Sequence, residues 1–119
     1  MGLERPLSGD VMVFDLEAER ARASDPVIRE RSGRNARTLL KSGALRVTMI
    51  VLAPGGGIPE HQADGTILVQ PIEGRIQFEV GGATYDLGPG QMLSTGPGVP
   101  HAVHSRTGAT FLLTVSQPG

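Results

Sequence analysis

The chain of 119 residues contains no cysteine and no tryptophan. Without cysteine there can be no disulfide, thiolate nucleophile or thiolate metal ligand, which leaves histidine and carboxylates as the strong metal-binding side chains. Aromatic residues make up only 3% of the chain against 39% for all hydrophobic residues, so an aliphatic core is expected. A chain of this length predicts a single domain.

An excess of charge of either sign is also missing. Lys and Arg number 11 and Asp and Glu number 12, so the net charge of -1 predicts no nucleic-acid partner. The longest apolar run lies around residues 47–53, far short of the roughly 20 residues that a membrane helix requires. The N-terminus shows no secretory pattern, so we expect no membrane association and a cytoplasmic protein.

Residues 1–36 differ in composition from the rest and predict an N-terminal arm with one short helix. Asp15 can cap this helix, which should end before Pro26. A helix of about two turns is unstable alone, so it should pack on its own domain or on a partner subunit. The arginine-rich segment 27–37 is expected to be a solvated arm, with an anion-binding patch as the alternative.

Residues 37–117 alternate short apolar runs with turns that contain glycine or proline. Turn signals about every eight to twelve residues predict antiparallel strands in a sandwich or barrel. The predicted strands are 38–41, 45–52, 67–72, 76–80, 84–87, 92–95, 102–105 and 110–115.

Two of these strands predict which faces are buried. Ile76, Phe78 and Val80 alternate with polar residues, so the three apolar side chains should face the core and the polar ones the solvent. The run 67–72 is apolar on both faces, which predicts that a second sheet or a partner subunit covers its outer face. Pro71 cannot donate a ladder hydrogen bond and predicts a strand edge or a bulge.

Two glycine-rich segments, 55–74 and 90–105, each contain a histidine just after a turn. They resemble the two motifs of the cupin superfamily, G(x)5HxH followed by E(x)6G, and G(x)5PxG(x)2H(x)3N. Three positions match in each motif: Gly55, His61, Gly74, Gly90, Gly98 and His101. The resemblance covers about residues 45–115 and implies an all-β fold, the cupin double-stranded β-helix or jelly-roll barrel, over residues 37–117.

The four matching glycines are expected at hairpin corners. Positive φ or a close backbone approach favours glycine there, whether or not a metal is bound.

The first motif departs from the family where cupins bind metal. Ala63 stands at the second histidine and Ile67 at the glutamate. The resemblance implies that His61 and His101 point into the barrel mouth, where cupins hold Mn, Fe, Zn, Ni or Cu. Because two neutral imidazoles without a carboxylate bind a divalent ion weakly, the sequence predicts an incomplete metal site.

Four further residues in or near the two motifs could contribute to this site. Ser105 stands at the asparagine of the second motif, and Arg46 precedes the first motif; both are candidate pocket residues. His104 is three residues after His101, which on a strand places it on the opposite face, so we expect it outside. Asp64 is expected to be a solvated turn residue, although it could swing over the mouth as ligand or base.

The leading hypothesis is a small-molecule-binding single-domain cupin in which His61 and His101 are the polar pocket groups and Arg46 can add a positive charge for a carboxylate. One alternative is a metal-dependent dioxygenase, isomerase or lyase acting on a small organic acid or sugar, or a metal-free variant with an imidazole as general acid or base. Another is a non-catalytic interaction barrel. The predicted assembly is a homodimer.

Overall fold

The computed structural model describes residues 6–24 and 33–117. Across those residues the chain forms one helix followed by nine strands: α1 (Leu16–Ala23), β1 (Arg34–Ser42), β2 (Leu45–Leu52), β3 (Gly57–His61), β4 (Thr66–Gly74), β5 (Ile76–Val80), β6 (Ala83–Leu87), β7 (Leu93–Thr95), β8 (His101–His104) and β9 (Ala109–Ser116).

The strands form two antiparallel sheets. The first has the order β1-β2-β9-β4-β7 and the second β3-β8-β5-β6. Six short connections cross between the sheets, and four of them, from β2 to β3, β4 to β5, β6 to β7 and β8 to β9, join strands that lie over one another in pairs. The arrangement is the jelly-roll barrel with a short N-terminal helix, which confirms the predicted fold class.

Aliphatic side chains from both sheets fill the space between them. Ile67 and Val69 from the first sheet meet Ile76 and Phe78 from the second, and Val80 packs at the margin of the same cluster. The predicted inward face of β5 is therefore confirmed. Full burial of side chains of this size contributes about 1.5–3 kcal/mol each.

The opposite face of β5 is less exposed to solvent than predicted. Gln77 is only 3% exposed, although it lies on the outer side of the sheet. Its Nε2 donates to Asp86 Oδ1 at 3.3 Å, and its Oε1 accepts from the backbone N–H of Arg106 at 3.1 Å. The amide is buried because neighbouring side chains cover it and satisfy its hydrogen bonds.

Helix α1 begins where the sequence predicted. Asp15 Oδ1 accepts hydrogen bonds from the backbone N–H groups of Glu17 and Ala18, at 3.1 and 3.2 Å, which caps the first turn. The helix ends at Ala23, directly before the predicted stop signal at residues 24–26. At eight residues, α1 is too short to cross a membrane, and no other helix occurs in the described ranges.

The helix packs on its own domain. Ala23 lies with Leu39, Met49 and Val51 in a second apolar cluster on the outer face of the first sheet, and Ile72 of β4 packs against this cluster. The helix therefore shields the Ile72 end of the outer face of β4, where a second sheet or a subunit was predicted. Whether a second copy covers the remainder of that face stays a prediction.

Pro71 lies at a bulge, as predicted. The register of β4 against β9 shifts between Pro71 and Glu73. Strand β7 pairs with β4 only along residues 67–69, so Pro71 also lies beyond the paired edge. A bulge and an unpaired edge are the positions at which a strand tolerates the missing N–H of proline.

The sequence prediction missed β3 and placed the start of β1 too late. Strand β1 begins at Arg34, inside the predicted N-terminal arm, whose Arg29 and Arg31 lie outside the described residues. Gly57 opens β3 with no side chain because a Cβ there would lie 2.6 Å from the carbonyl oxygen of Val103. This close approach, and not a β-forming composition, lets β3 pair with β8.

The predicted corner conformations of the motif glycines are confirmed. Positive φ angles of 81°, 74°, 89° and 75° occur at Gly55, Gly74, Gly90 and Gly98.

Candidate functional site at the barrel mouth

Two rows of side chains face each other at one end of the barrel. In the first sheet the strand register places Arg46, Val115, Ile67 and Thr95 side by side. Directly opposed residues of antiparallel strands share a face, and Val115 and Ile67 belong to the core. All four positions therefore lie on the inner face.

The facing row in the second sheet contains both motif histidines. His61 on β3 is opposite His101 on β8, which is opposite Val80 on β5. Since β3 lies against β2 and β8 against β9, the histidines face the strands that bear Arg46 and Val115. The strand register thus places three side chains that the sequence proposed for a pocket at the same end of the barrel.

The two imidazole rings are in direct contact. Their Nε2 atoms are 3.1 Å apart, and the ring centroids are 4.3 Å apart with the planes inclined by 66°. His101 is only 4% exposed and stacks on Phe78 at a centroid distance of 5.5 Å, whereas His61 is exposed. The pair therefore has a buried inner member and an outer member that solvent and ligands can reach.

Backbone contacts fix the proton on each ring. His61 Nδ1 lies 3.0 Å from the carbonyl oxygen of Pro59, and His101 Nδ1 lies 2.9 Å from that of Val99. A carbonyl oxygen only accepts, so each Nδ1 carries a proton and donates, and in two neutral rings both Nε2 lone pairs then point at each other. A proton on one Nε2, a donor group of a ligand or a metal cation makes the contact between the two Nε2 atoms favourable.

The residues that would complete a cupin metal centre are absent. Ile67, at the glutamate position, is buried, and Ala63, at the second histidine position, packs against the same core. Among residues 6–24 and 33–117, no group of three or more His, Cys, Asp or Glu side chains is arranged to hold a metal ion. The donor set therefore does not fit the three-histidine, one-glutamate centre that the resemblance implies.

Two other candidates, Ser105 and His104, are placed away from the pair. Ser105 follows the far end of β8, four residues from His101, which is about 13 Å along a strand. Its buried hydroxyl donates to the Arg75 carbonyl at 2.6 Å and accepts from the Gly108 N–H at 3.0 Å, so its hydrogen bonds stabilise the turn. The predicted pocket position of Ser105 is therefore not supported. His104 faces outward as predicted, with Nδ1 3.9 Å from Glu79 Oε2, and Asp64 is exposed in the loop before β4.

Sequence reasoning missed Phe78 and Thr95 as parts of the site. Phe78 was predicted to be a core residue, but its stacking on His101 gives it a second role. Thr95 is 8% exposed, and its hydroxyl donates to the Gly96 carbonyl at a long 3.4 Å. The alternation of apolar residues could identify Phe78 as inward, whereas only the pairing of β7 with β4 places Thr95 at the mouth.

A separate charged cluster lies on the outer face of the second sheet. A hydrogen bond from Arg75 to Asp86, at 3.0 Å, is the main cause that holds the pKa of the Asp86 carboxyl below its usual value, with further contributions from Gln77 and Arg106. Asp86 is paired with Gln77 across the sheet, on the side away from the core. Its charge is therefore outside the barrel mouth.

A jelly-roll barrel with two motif histidines facing its interior has the architecture of a cupin. The cupin domain profile matches residues 48–116, and the protein belongs to this family. No curated protein sequence matches the chain.

Solved structures share the fold at low sequence identity. A conserved Streptococcus pyogenes protein of unknown function is 23% identical with a TM-score of 0.73, over 96% of this chain and 94% of that one. Salicylate 1,2-dioxygenase of Pseudoaminobacter salicylatoxidans, solved with gentisate, is 17% identical with a TM-score of 0.81, over 97% of this chain and 36% of that one. The cupin domain of an XRE family transcriptional regulator from Enterobacter cloacae is 22% identical with a TM-score of 0.66, over 73% of this chain and 99% of that one. These similarities concern the fold.

Proposed function

We propose that this cupin binds a small organic molecule at the barrel mouth through direct contacts to the two imidazoles, without a resident metal. One observation carries the proposal: the Nε2 atoms of His61 and His101 are 3.1 Å apart while both Nδ1 atoms donate to backbone carbonyls. When both rings are neutral, the two Nε2 acceptors face each other without a donor, and an O–H or N–H group of a ligand supplies one.

The surroundings suit a molecule with an apolar body. Val80, Val115 and Ile67 lie in the two rows around the histidines and offer aliphatic contacts. His61 is exposed and forms the entrance, and His101 lies behind it on Phe78. Few polar groups that converge above an apolar floor are typical of a small-molecule site.

Metal analysis is the first test. Protein without a histidine tag is incubated separately with Mn²⁺, Fe²⁺, Zn²⁺, Ni²⁺ and Cu²⁺, desalted and analysed for metal content. We expect well below one ion per chain, because two neutral ligands give weak affinity. One tightly bound ion per chain would overturn the proposal.

Ligand binding is the second test. A panel of small organic acids and sugars is screened by thermal unfolding of the wild-type protein, the His61→Asn variant and the control His104→Asn. We expect at least one compound to raise the Tm of the wild type and of His104→Asn but not that of His61→Asn. If no compound raises the Tm of the wild type, or if the Tm of His61→Asn rises as that of the wild type does, direct binding by the pair is contradicted.

A metal-dependent enzyme is the second candidate function, and the same distance favours it. At 3.1 Å apart, both Nε2 atoms can reach one ion at the ~2.0–2.1 Å that imidazole ligands adopt. Water and substrate would have to supply the remaining ligands. This candidate requires a bound metal in the analysis above, together with a turnover that His101→Ala abolishes in a protein whose circular dichroism spectrum is unchanged.

A further inference from the structure

We propose that Lys41 and Arg46 form a carboxylate-binding subsite at the rim of the barrel mouth. The subsite makes the proposed function more specific, because it assigns the ligand to the small organic acids. The inference rests on the proposed function only where the other end of the ligand contacts the histidines. Binding of the carboxylate by Lys41 and Arg46 does not depend on it.

The strand register places the two cations side by side. Lys41 on β1 is directly opposite Arg46 on β2, next to the tight turn at residues 43–44. Arg46 is in turn opposite Val115, a residue of the barrel core. Lys41, Arg46 and Val115 therefore share the inner face, and the two cations extend the row that faces the histidines.

Neither cation has a counter-ion in the part of the chain that the structure describes. There, carboxylates lie within ion-pair distance of five other arginines: Arg20, Arg22, Arg37, Arg75 and Arg106. Lys41 and Arg46 make no ion pair with any residue in 6–24 or 33–117, and like charges directly opposite on neighbouring strands are unfavourable. An anion between them removes that repulsion.

A concavity of about 110 Å³ lies at this position. Its lining contains two cations and no acidic residue: Lys41, Gly43, Ala44, Leu45, Arg46, Val115 and Gln117. Since a water molecule takes about 30 Å³ of liquid volume, the space suits a carboxylate and a few attached carbons. A guanidinium presents a planar fork of donors that matches a carboxylate, and the ammonium of lysine adds a mobile charge.

Val115 connects this subsite to the histidines. It lines the concavity beside Arg46, and its strand β9 lies over β8, which carries His101. Facing sheets are about 10 Å apart, a distance that one small molecule can span. The ligand is therefore a small organic acid whose carboxylate meets Lys41 and Arg46, whose carbons cover Val115, and whose far end donates to an imidazole Nε2.

The test is a titration of the ¹⁵N-labelled protein with sodium acetate at constant ionic strength, followed by amide chemical shifts. We expect saturable shifts around residues 43–46 and at Val115 in the wild type. Arg46→Gln should weaken acetate binding about tenfold or more, since it removes a charge-assisted bidentate contact, and Arg46→Lys should retain part of it. Arg106→Gln is the matched control, because it removes the same charge from the outer face of the other sheet.

Each other result overturns the subsite. These are shifts that do not saturate, an equal weakening in Arg106→Gln, which would show a net-charge effect, and tighter binding of inorganic phosphate than of acetate, which would exclude the assignment to a carboxylate. Acetate is too short to reach the histidines, so His61→Asn should bind it as the wild type does. If acetate binds as expected but no compound in the thermal-unfolding screen depends on His61, only the proposed function is contradicted. If the screen succeeds but acetate does not bind, only the subsite is contradicted.

Discussion

The Nε2 atoms of His61 and His101 face each other at 3.1 Å, although each ring already uses Nδ1 to contact a backbone carbonyl. The same two histidines occupy the motif positions that in other cupins hold a metal together with a third histidine and a glutamate. Here Ala63 and Ile67 occupy those two other positions and extend the apolar core. The pair is therefore preorganised by the backbone and is independent of the missing ligands.

The carbonyl contacts predict the protonation sites of both rings. Long-range ¹H–¹⁵N spectra should show a proton on Nδ1 of His61 and of His101, because the Pro59 and Val99 carbonyls can only accept. Detection of either ring in the neutral form with a bare Nδ1 would contradict the arrangement.

Phe78 supports the buried histidine and should matter for stability. Phe78→Ala should reduce the free energy of unfolding by about 3–5 kcal/mol, because it removes a core aromatic ring at 2% exposure and leaves a cavity. Urea denaturation measures the change. Phe78→Leu fills most of the volume and is expected to lose clearly less, so equal losses in the two variants would argue against a packing role.

Glu19 attaches helix α1 to the first sheet. Its buried carboxylate accepts from Arg37 Nε on β1 at 2.7 Å and lies 3.3 Å from Arg22 Nη1. Glu19→Ala should cost about 1–3 kcal/mol in urea denaturation, since it leaves these donors without their acceptor. The control is Glu17→Ala on the same helix, whose exposed pair with Arg20 should contribute about 0–1 kcal/mol. Equal effects of the two substitutions would show that burial of Glu19 is unimportant.

Asp86 should cause a loss of stability in acid. The hydrogen bond from Arg75 lowers the pKa of Asp86 in the folded protein below its usual value of 3.8. The contribution to stability is therefore present above the unfolded pKa and is lost as the pH falls through the folded pKa. A carboxyl titration by NMR should show the low pKa and its rise in Arg75→Gln. An unchanged pKa in that variant would exclude Arg75 as the cause.

The homodimer predicted from the sequence is tested by sedimentation. Val11 and Val13 are 85% and 91% exposed in the segment before α1, and Leu45 is also exposed. Burial of such side chains would favour association. At micromolar concentration we expect a mass of about twice 12.5 kDa, and a monomer across the accessible concentration range would contradict the dimer.

The fold was largely predictable because its signals are local. Glycines at the corners predict positive φ, the alternating apolar residues Ile76 and Phe78 predict a buried face, and Asp15 predicts a helix start. The structure confirms each of these. Strand β3 was missed because glycine and proline weaken its local β-preference. Only the close approach of Gly57 to β8 explains why the segment pairs.

The candidate site was predictable only in part. Motif spacing selected His61 and His101, and strand periodicity placed His104 outside. The same reasoning included Ser105, whose hydroxyl binds turn backbone at the other end of β8, and it could not find Thr95 or Lys41. Whether those two residues lie at the barrel mouth depends on which strands pair and in which register.

The sequence by itself therefore determined the family, the order of most strands and the two histidines, since turn chemistry and side-chain periodicity act over a few residues. Only the tertiary structure decided that the imidazoles touch and that Arg46 shares an inner face with Val115 and Lys41. These juxtapositions join residues up to 74 positions apart (Lys41 and Val115), and they arise from sheet register and from the packing of one sheet on the other.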